Sequence, residues 1–438
     1  MEFSLSDFRS TDIFLPSTFE MRHSLNKVRY DELEQKFKMN KLPVSDALFR
    51  LKERTSEKYY NEVITAQTRT MAYSESVFPA YKFLMPEVLI DDWLSMMDPH
   101  REGRRDHSLH QPLTAYIISR LLGNCNPGNA LVINGKSLLT ECANMFLNHP
   151  KMEYLRQYLI DLYPRAIPPV PYARQRWAEV LFYQATMVSA LFHDIGYPWQ
   201  YINKVGSGIG IVDNNLEGVE RQIAENIYAQ IAERLLIFPF YGYSPTSVKR
   251  PITTWKYDVL LQLESAYANT HGFPGALAFQ YLNDKVRKFP VEPDQREGML
   301  RFIQDWAAVG ILMHDMVREY AGENDRKHPN PHFHLSFDTD PLSCLVAMAD
   351  ILEEFGRPSA KFYNSIDNST ISYEYPCIST VLNIMGSKME IIYRYSAPPS
   401  RKVRNDRIDE INSYFNSKDG YIDMSTLGID EVQCVIKC

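Results

Sequence analysis

The chain of 438 residues has no excess of basic charge, no long apolar run and no paired-cysteine motif. Lys and Arg total 47 against 54 Asp and Glu, a formal net charge of −7. Non-specific nucleic-acid binding needs clustered cations against phosphates, so no stable nucleic-acid partner is expected. A small anionic ligand needs only a local basic pocket and stays open. No stretch of about 18 apolar residues occurs, so no membrane span is expected. The opening MEFSLSDFRSTDIF carries acids early and lacks the apolar run of a secretory leader, which makes the cytoplasm the expected location. Cys125, Cys142, Cys344, Cys377, Cys434 and Cys438 form no CxxC pair, which argues against a thiolate zinc site. Disulfides are not expected in so long a chain without a leader. Internal repeats and low-complexity tracts are missing too. The Gly-rich segment KVGSGIGIVDNN (204–215) lacks the preceding strand and the Lys-Ser/Thr of a phosphate-binding loop, and reads as a connection.

What the chain does have is helical periodicity. LTAYIISRLL (113–122), RWAEVLFYQATMVSALFHD (176–194) and GMLRFIQDWAAVGILMHDMVREY (298–320) are apolar-striped, free of internal Pro and too long for strands. Gly196 and Pro198 stop the second run, and Gly356 and Pro358 follow PLSCLVAMADILEEF. Thr270 suits an N-cap for a helix opening at His271, with Pro274 in its first turn. Beyond Arg357, TISYEYPCIST and MEIIYRYS are rich in β-branched and aromatic residues. The expected fold is mainly α: an N-terminal helical extension (1–90), a helical body (91–360) and a C-terminal appendage (361–438) with a small antiparallel sheet over 360–400.

The chemistry concentrates on single His and Asp residues inside apolar helical runs. His193 and Asp194 end the run SALFHDIGYPW. Adjacent residues lie about 100° apart on a helix, but at its last turn both can open toward one cavity. His107 opens a helix in RRDHSLHQPLTAYII, His271 sits in NTHGFPGALAFQYL and His314 in VGILMHDMVREY. Asp350 is flanked by Val346, Ala347, Ala349, Ile351 and Leu352, where a carboxylate is costly to bury unless paired or metal-bound. Gly310 and Ala307 leave room beside the His314 ring. Each residue alone has a bland alternative as a hydrogen-bonded core residue or an ion pair. His110, one turn after His107, is assigned to solvent or substrate rather than to the metal. His328, His332 and His334 read as loop residues. Arg101, Arg104 and Arg105 precede His107 within reach of an anionic substrate, or form a solvated turn. Arg357 closes the Asp350 helix, where a cation also suits the helix dipole. SVKRPITTWK (247–256) reads as surface.

The order His, His-Asp, His, His, Asp resembles the HD superfamily of metal-dependent phosphohydrolases. The flanking words resemble it as well: the His-Ser pair, ALFHDIG, HGxxGA, and PLxxLVxxAD followed by EFGRP. The likeness spans about residues 100–360. It implies a helical bundle with a metal centre between packed helices, hydrolysing phosphate esters or anhydrides, usually of nucleotides. By that resemblance His107, His193, Asp194 and Asp350 match the core ligands and the catalytic centre. His271 and His314 match the extra ligands of two-metal members, in which Asp194 would bridge. Imidazole and carboxylate together suit Mn, Fe, Co, Ni or Zn better than Mg alone. Such ions acidify water and, with nearby Arg, stabilise charge on phosphate oxygens.

Within the superfamily, deoxynucleoside triphosphate hydrolases carry a further His after the doublet. Here Tyr197 holds that position, followed by Pro198 and Trp199, and Tyr197 could position a sugar, phosphate or base. Cyclic dinucleotide phosphodiesterases use six or more ligands, which favours them. They also show a Lys after the doublet's Gly and a later Gly-Tyr-Pro loop, and the Gly196-Tyr197-Pro198 here sits elsewhere. The expectation is a nucleotide phosphohydrolase, toward deoxynucleoside triphosphates, serving nucleotide depletion or antiviral defence. The alternatives are a cyclic nucleotide or dinucleotide phosphodiesterase, a non-catalytic nucleotide sensor and a nuclease. An allosteric nucleotide site and homo-oligomer contacts are candidate uses of the terminal segments.

Overall fold

A computed structural model describes residues 1–4, 6–7, 107–194, 196, 271–272, 275–276, 279–280, 295–315, 335–355, 361–364, 369–372, 377–415 and 421–438. Among them the fold is mainly helical with a small C-terminal sheet. The helices of the body are α1 (His107–Leu121), α2 (Leu138–Asn148), α3 (Glu153–Leu162), α4 (Pro171–Phe192), α5 (Gln295–Met313) and α6 (Pro341–Leu352). No helix among the described residues is long and apolar enough to cross a membrane.

α4 is the hub. Every residue from Leu181 to Phe192 is buried, as expected of a helix enclosed on all sides rather than striped. It packs against α1, α2, α5 and α6. α6 is likewise buried along its whole length. It starts cleanly because the Asp340 side chain accepts the Ser343 amide, with Pro341 occupying the first turn where a missing N–H costs nothing. Phe146, Phe182, Phe302 and Trp306 interlock between α2, α4 and α5, with Phe146 and Trp306 centroids 5.0 Å apart.

Gly310 sets the spacing in this core. A Cβ there would lie 2.3 Å from Ser189 Oγ and 2.4 Å from Leu342 Cδ2. The sequence suggested that Gly310 makes room for the His314 ring. The structure uses it instead to bring α5 against α4 and α6.

The C-terminal unit is a four-stranded sheet ordered β1-β7-β8-β10, from Glu2–Ser4, Cys377–Met385, Lys388–Tyr395 and Glu431–Lys437. Within 360–400 the strands pair antiparallel as expected, and β10, beyond that range, makes the whole sheet mixed. β7 pairs antiparallel with both β1 and β8, whereas β10 runs parallel to β8. The cause is the connection: helix α7 (Arg401–Phe415) lies between β8 and β10 and gives the chain the crossover that parallel neighbours require. A short hairpin, β5 (Lys361–Asn364) with β6 (Ser369–Ser372), is antiparallel. β4 (Leu335–Ser336) and β9 (Ile422–Asp423) pair in parallel and tie the unit to the helical body. The two-stranded β2 and β3 (Val132–Ile133 and Lys136–Ser137) form a tight turn before α2.

Candidate metal centre

Four imidazoles and two carboxylates meet where α1, α4, α5, α6 and the segment at His271 converge. α4 ends at Phe192, so His193 and Asp194 fall in the opening turn beyond it. α5 ends at Met313, which places His314 the same way. Asp350 lies in the last turn of α6, and His110 is in the first turn of α1. All six residues, with His271, are buried.

Glycines make the convergence possible. A Cβ on Gly196 would lie 1.8 Å from the His271 carbonyl oxygen and 2.6 Å from the Gly275 amide. One on Gly272 would lie 2.7 Å from the Leu312 carbonyl oxygen. The doublet turn, the His271 segment and the end of α5 therefore touch backbone to backbone. From sequence alone Gly196 reads only as a helix stop.

The rings form two pairs. His110 and His193 approach with Nε2 atoms 3.1 Å apart, and His271 and His314 with Nε2 atoms 3.0 Å apart. Asp194 lies between the pairs. Its Oδ2 is 3.4 Å from Nε2 of both His110 and His193, and its Oδ1 is 3.0 Å from His271 Nε2 and 3.6 Å from His314 Nε2. Asp350 Oδ1 joins the first pair, 2.9 Å from His110 Nε2 and 3.9 Å from His193 Nε2.

Each ring is anchored through its other nitrogen. His110 Nδ1 lies 2.5 Å from Glu353 Oε2, and His271 Nδ1 lies 2.6 Å from Asp315 Oδ2. His193 Nδ1 meets the Ala190 carbonyl at 2.8 Å, and His314 Nδ1 meets the Ile311 carbonyl at 2.6 Å. Acceptors at all four Nδ1 positions place the proton of a neutral ring there and leave Nε2 as a lone pair. Two facing lone pairs at such distances are held together by a shared proton or by a metal ion between them. Ligands held at about 2.0–2.1 Å lie roughly 2.9 Å apart when cis on an octahedral ion and roughly 3.3 Å apart on a tetrahedral one. The observed pairs fall between these values.

The electrostatics of the two pairs differ. Burial drives His193 down to about 3 against the opposing pull of Asp194, so that ring is neutral. Burial lowers His271 as well, but Asp315 and Asp194 outweigh it and raise the ring to about 9, so without an ion its Nε2 carries a proton that a bound metal would displace. Asp194, Asp350, Asp315 and Glu353 add four buried carboxylates, whose charge two divalent ions would offset. The buried His and Asp groups can thus hold a metal ion. The ligand atoms close enough to share an ion are those of His110, His193 and Asp350, and those of His193, Asp194 and His314; by the ring pairs, a first candidate position would have His110, His193, Asp350 and one oxygen of Asp194. A second would have His271, His314 and the other oxygen of Asp194, with fewer protein donors.

His193, Asp194, His271, His314 and Asp350, picked from the sequence, are all brought together. His110, assigned outside the metal site, sits inside it. His107 is described by its backbone alone, as the first residue of α1. Arg101, Arg104, Arg105, Tyr197 and Arg357 lie outside the described residues, as do Thr270, His328, His332, His334 and the segments 204–215 and 247–256. Glu353 and Asp315 were missed. The signal for Asp315 is the second His-Asp doublet, His314-Asp315. Comparisons with protein-family models, with curated proteins and with solved structures return no match to this chain.

Proposed function

We propose that the chain is a metal-dependent phosphohydrolase of the HD type that hydrolyses nucleotide phosphate bonds. The observation that carries this is the Asp194 carboxylate, with one oxygen toward the His110–His193 pair and the other toward the His271–His314 pair. A bridging carboxylate between two histidine pairs suits two first-row divalent ions, such as Mn, Fe, Co, Ni or Zn. Ions held there supply Lewis acidity, lowering the pKa of water and offsetting charge on phosphate oxygens. The protein's own part is to hold each ring in one orientation through Glu353, Asp315 and two carbonyls, and to keep Asp194 and Asp350 aimed at the site. The second position, with fewer protein donors, is where a phosphate oxygen would enter. Arg101, Arg104, Arg105, Tyr197 and Arg357 are the proposed contacts to the rest of the substrate.

Deoxynucleoside triphosphates are the leading substrate class, on the residues that follow the doublet. Cyclic nucleotides and dinucleotides are the second, favoured by the His271–His314 pair, because the cyclic dinucleotide phosphodiesterases that the sequence resembles use six or more ligands. Incubating the wild type and His193→Ala/Asp194→Ala with Mn²⁺ and a panel of dNTPs, NTPs and cyclic nucleotides separates them. A nucleoside plus triphosphate identifies the first class, and a linear nucleotide the second. Turnover of no nucleotide by the metal-loaded wild type would count against both.

A further inference from the structure

The C-terminal unit, to which the sequence assigns no chemistry, touches the supports of the metal centre at three points. The Tyr421 hydroxyl donates to the carbonyl of Met313, the residue before His314. The Tyr393 hydroxyl donates to the carbonyl of Ile351, the residue after Asp350, at 2.9 Å. Arg407 donates to Glu354 Oε2 at 2.5 Å, next to the Glu353 that holds His110. Tyr393, Arg407, Tyr421 and Glu354 are all buried.

These are the positions where a helix needs outside help. The last carbonyls of α5 and α6 have no partner within the helix. At the end of α5, the His314 amide takes the Gly310 carbonyl and the His314 ring takes that of Ile311. Met313 then falls to Tyr421. At the end of α6, the Glu353 amide takes the Ala349 carbonyl and the Glu354 amide takes that of Leu352. Ile351 then falls to Tyr393. Both ligand-bearing turns are therefore closed by hydroxyls from one separate unit. Each of these contacts lies one residue from a candidate ligand.

We infer that the C-terminal unit is a clamp on the metal centre, with Tyr421 positioning His314, and Tyr393 and Arg407 positioning Asp350 and Glu353. This rests on the metal-centre assignment above. The clamp sets ligand direction in addition to adding stability, so its loss shows in metal affinity site by site.

The test is a Mn²⁺ titration of the full chain followed by electron paramagnetic resonance, with thermal melts of the metal-free proteins alongside. Tyr421→Phe and Tyr393→Phe each remove one hydroxyl and keep the ring. Val432→Ala cuts a buried β10 side chain opposite Met389 of β8 and serves as a matched destabilised control. Each Tyr variant is expected to weaken one of two Mn²⁺ binding steps about 10-fold, the scale for lost outer supports of metal ligands. Val432→Ala is expected to lower the melt and leave both steps unchanged. Tyr variants with both steps within about twofold of wild type would overturn the clamp alone. So would equal weakening by Val432→Ala at the same loss of melting temperature. A wild type that binds no Mn²⁺ would overturn the metal-centre assignment and the clamp with it.

Discussion

Gly196→Ala adds one methyl group at the tightest approach in the site. The new Cβ would lie 1.8 Å from the His271 carbonyl oxygen, whereas real Cβ contacts essentially never fall below 3.0 Å. The difference, 3.0 − 1.8, requires the doublet turn and the His271 segment to separate by at least about 1.2 Å. Backbone lies on both sides, so no side-chain end can yield. His271 Nε2 now sits 3.0 Å from Asp194 Oδ1. Metal–ligand distances hold within about 0.2 Å, so a shift of that size removes His271 from any ion that Asp194 binds. The first position, built from His110, His193 and Asp350, does not include His271 and should persist. The expected result is loss of one Mn²⁺ equivalent, with overpacking costing about 1–3 kcal/mol of stability. Mn²⁺ titration and chemical denaturation read the two effects separately. Retention of both equivalents at wild-type affinity would refute the claim that close backbone packing builds the second position.

Further outcomes follow from other parts of the structure. Glu353→Gln and Asp315→Asn keep the shape of each residue but remove the charge behind His110 and His271. Each should weaken metal binding at its own position about 10- to 100-fold, read by competition with a chelator. Equal effects on both positions from either change would contradict the pairing of rings described above. Asp340 is the buried N-cap of α6, and burial raises its carboxyl to about 7 despite the opposing bond from Ser343. The folded chain therefore binds this proton more tightly than the unfolded one, so its contribution falls as pH rises from about 4 to 7 and stays low above. Asp340→Asn keeps a capping acceptor and removes the titration. The stability difference between wild type and variant should change by a few kcal/mol across that range, and a flat difference in denaturant melts would exclude it. Chelation should lower the melting point, since an ion at about 1,000 times its Kd contributes about 4 kcal/mol. An unchanged melt after complete metal removal would argue against an ion in the buried cluster.

Much of the centre was legible because the sequence placed charge where charge is costly. Asp350 within an unbroken apolar run, and His193-Asp194 at the end of another, stand out on that ground alone. His110 was harder. It lies one turn from His107 on one helix, and spacing cannot say which turn faces the cavity. Glu353 and Asp315 act through other residues, and only the folded arrangement brings their carboxylates behind His110 and His271. The mixed sheet was out of reach for a related reason. Its β1 pairs Glu2 with Val381, and its β10 pairs Val432 with Met389 across a helix. No local pattern records partners so far apart.

The central claim is that Asp194 joins two metal positions. Its most direct test is the metal content of purified wild type and Asp194→Ala after loading with Mn²⁺ and removal of excess. The account predicts ~2 ions per wild-type chain, magnetically coupled, and loss of the coupled signal in the variant. A wild type without metal, or an Asp194→Ala protein that keeps the coupled pair, would contradict it.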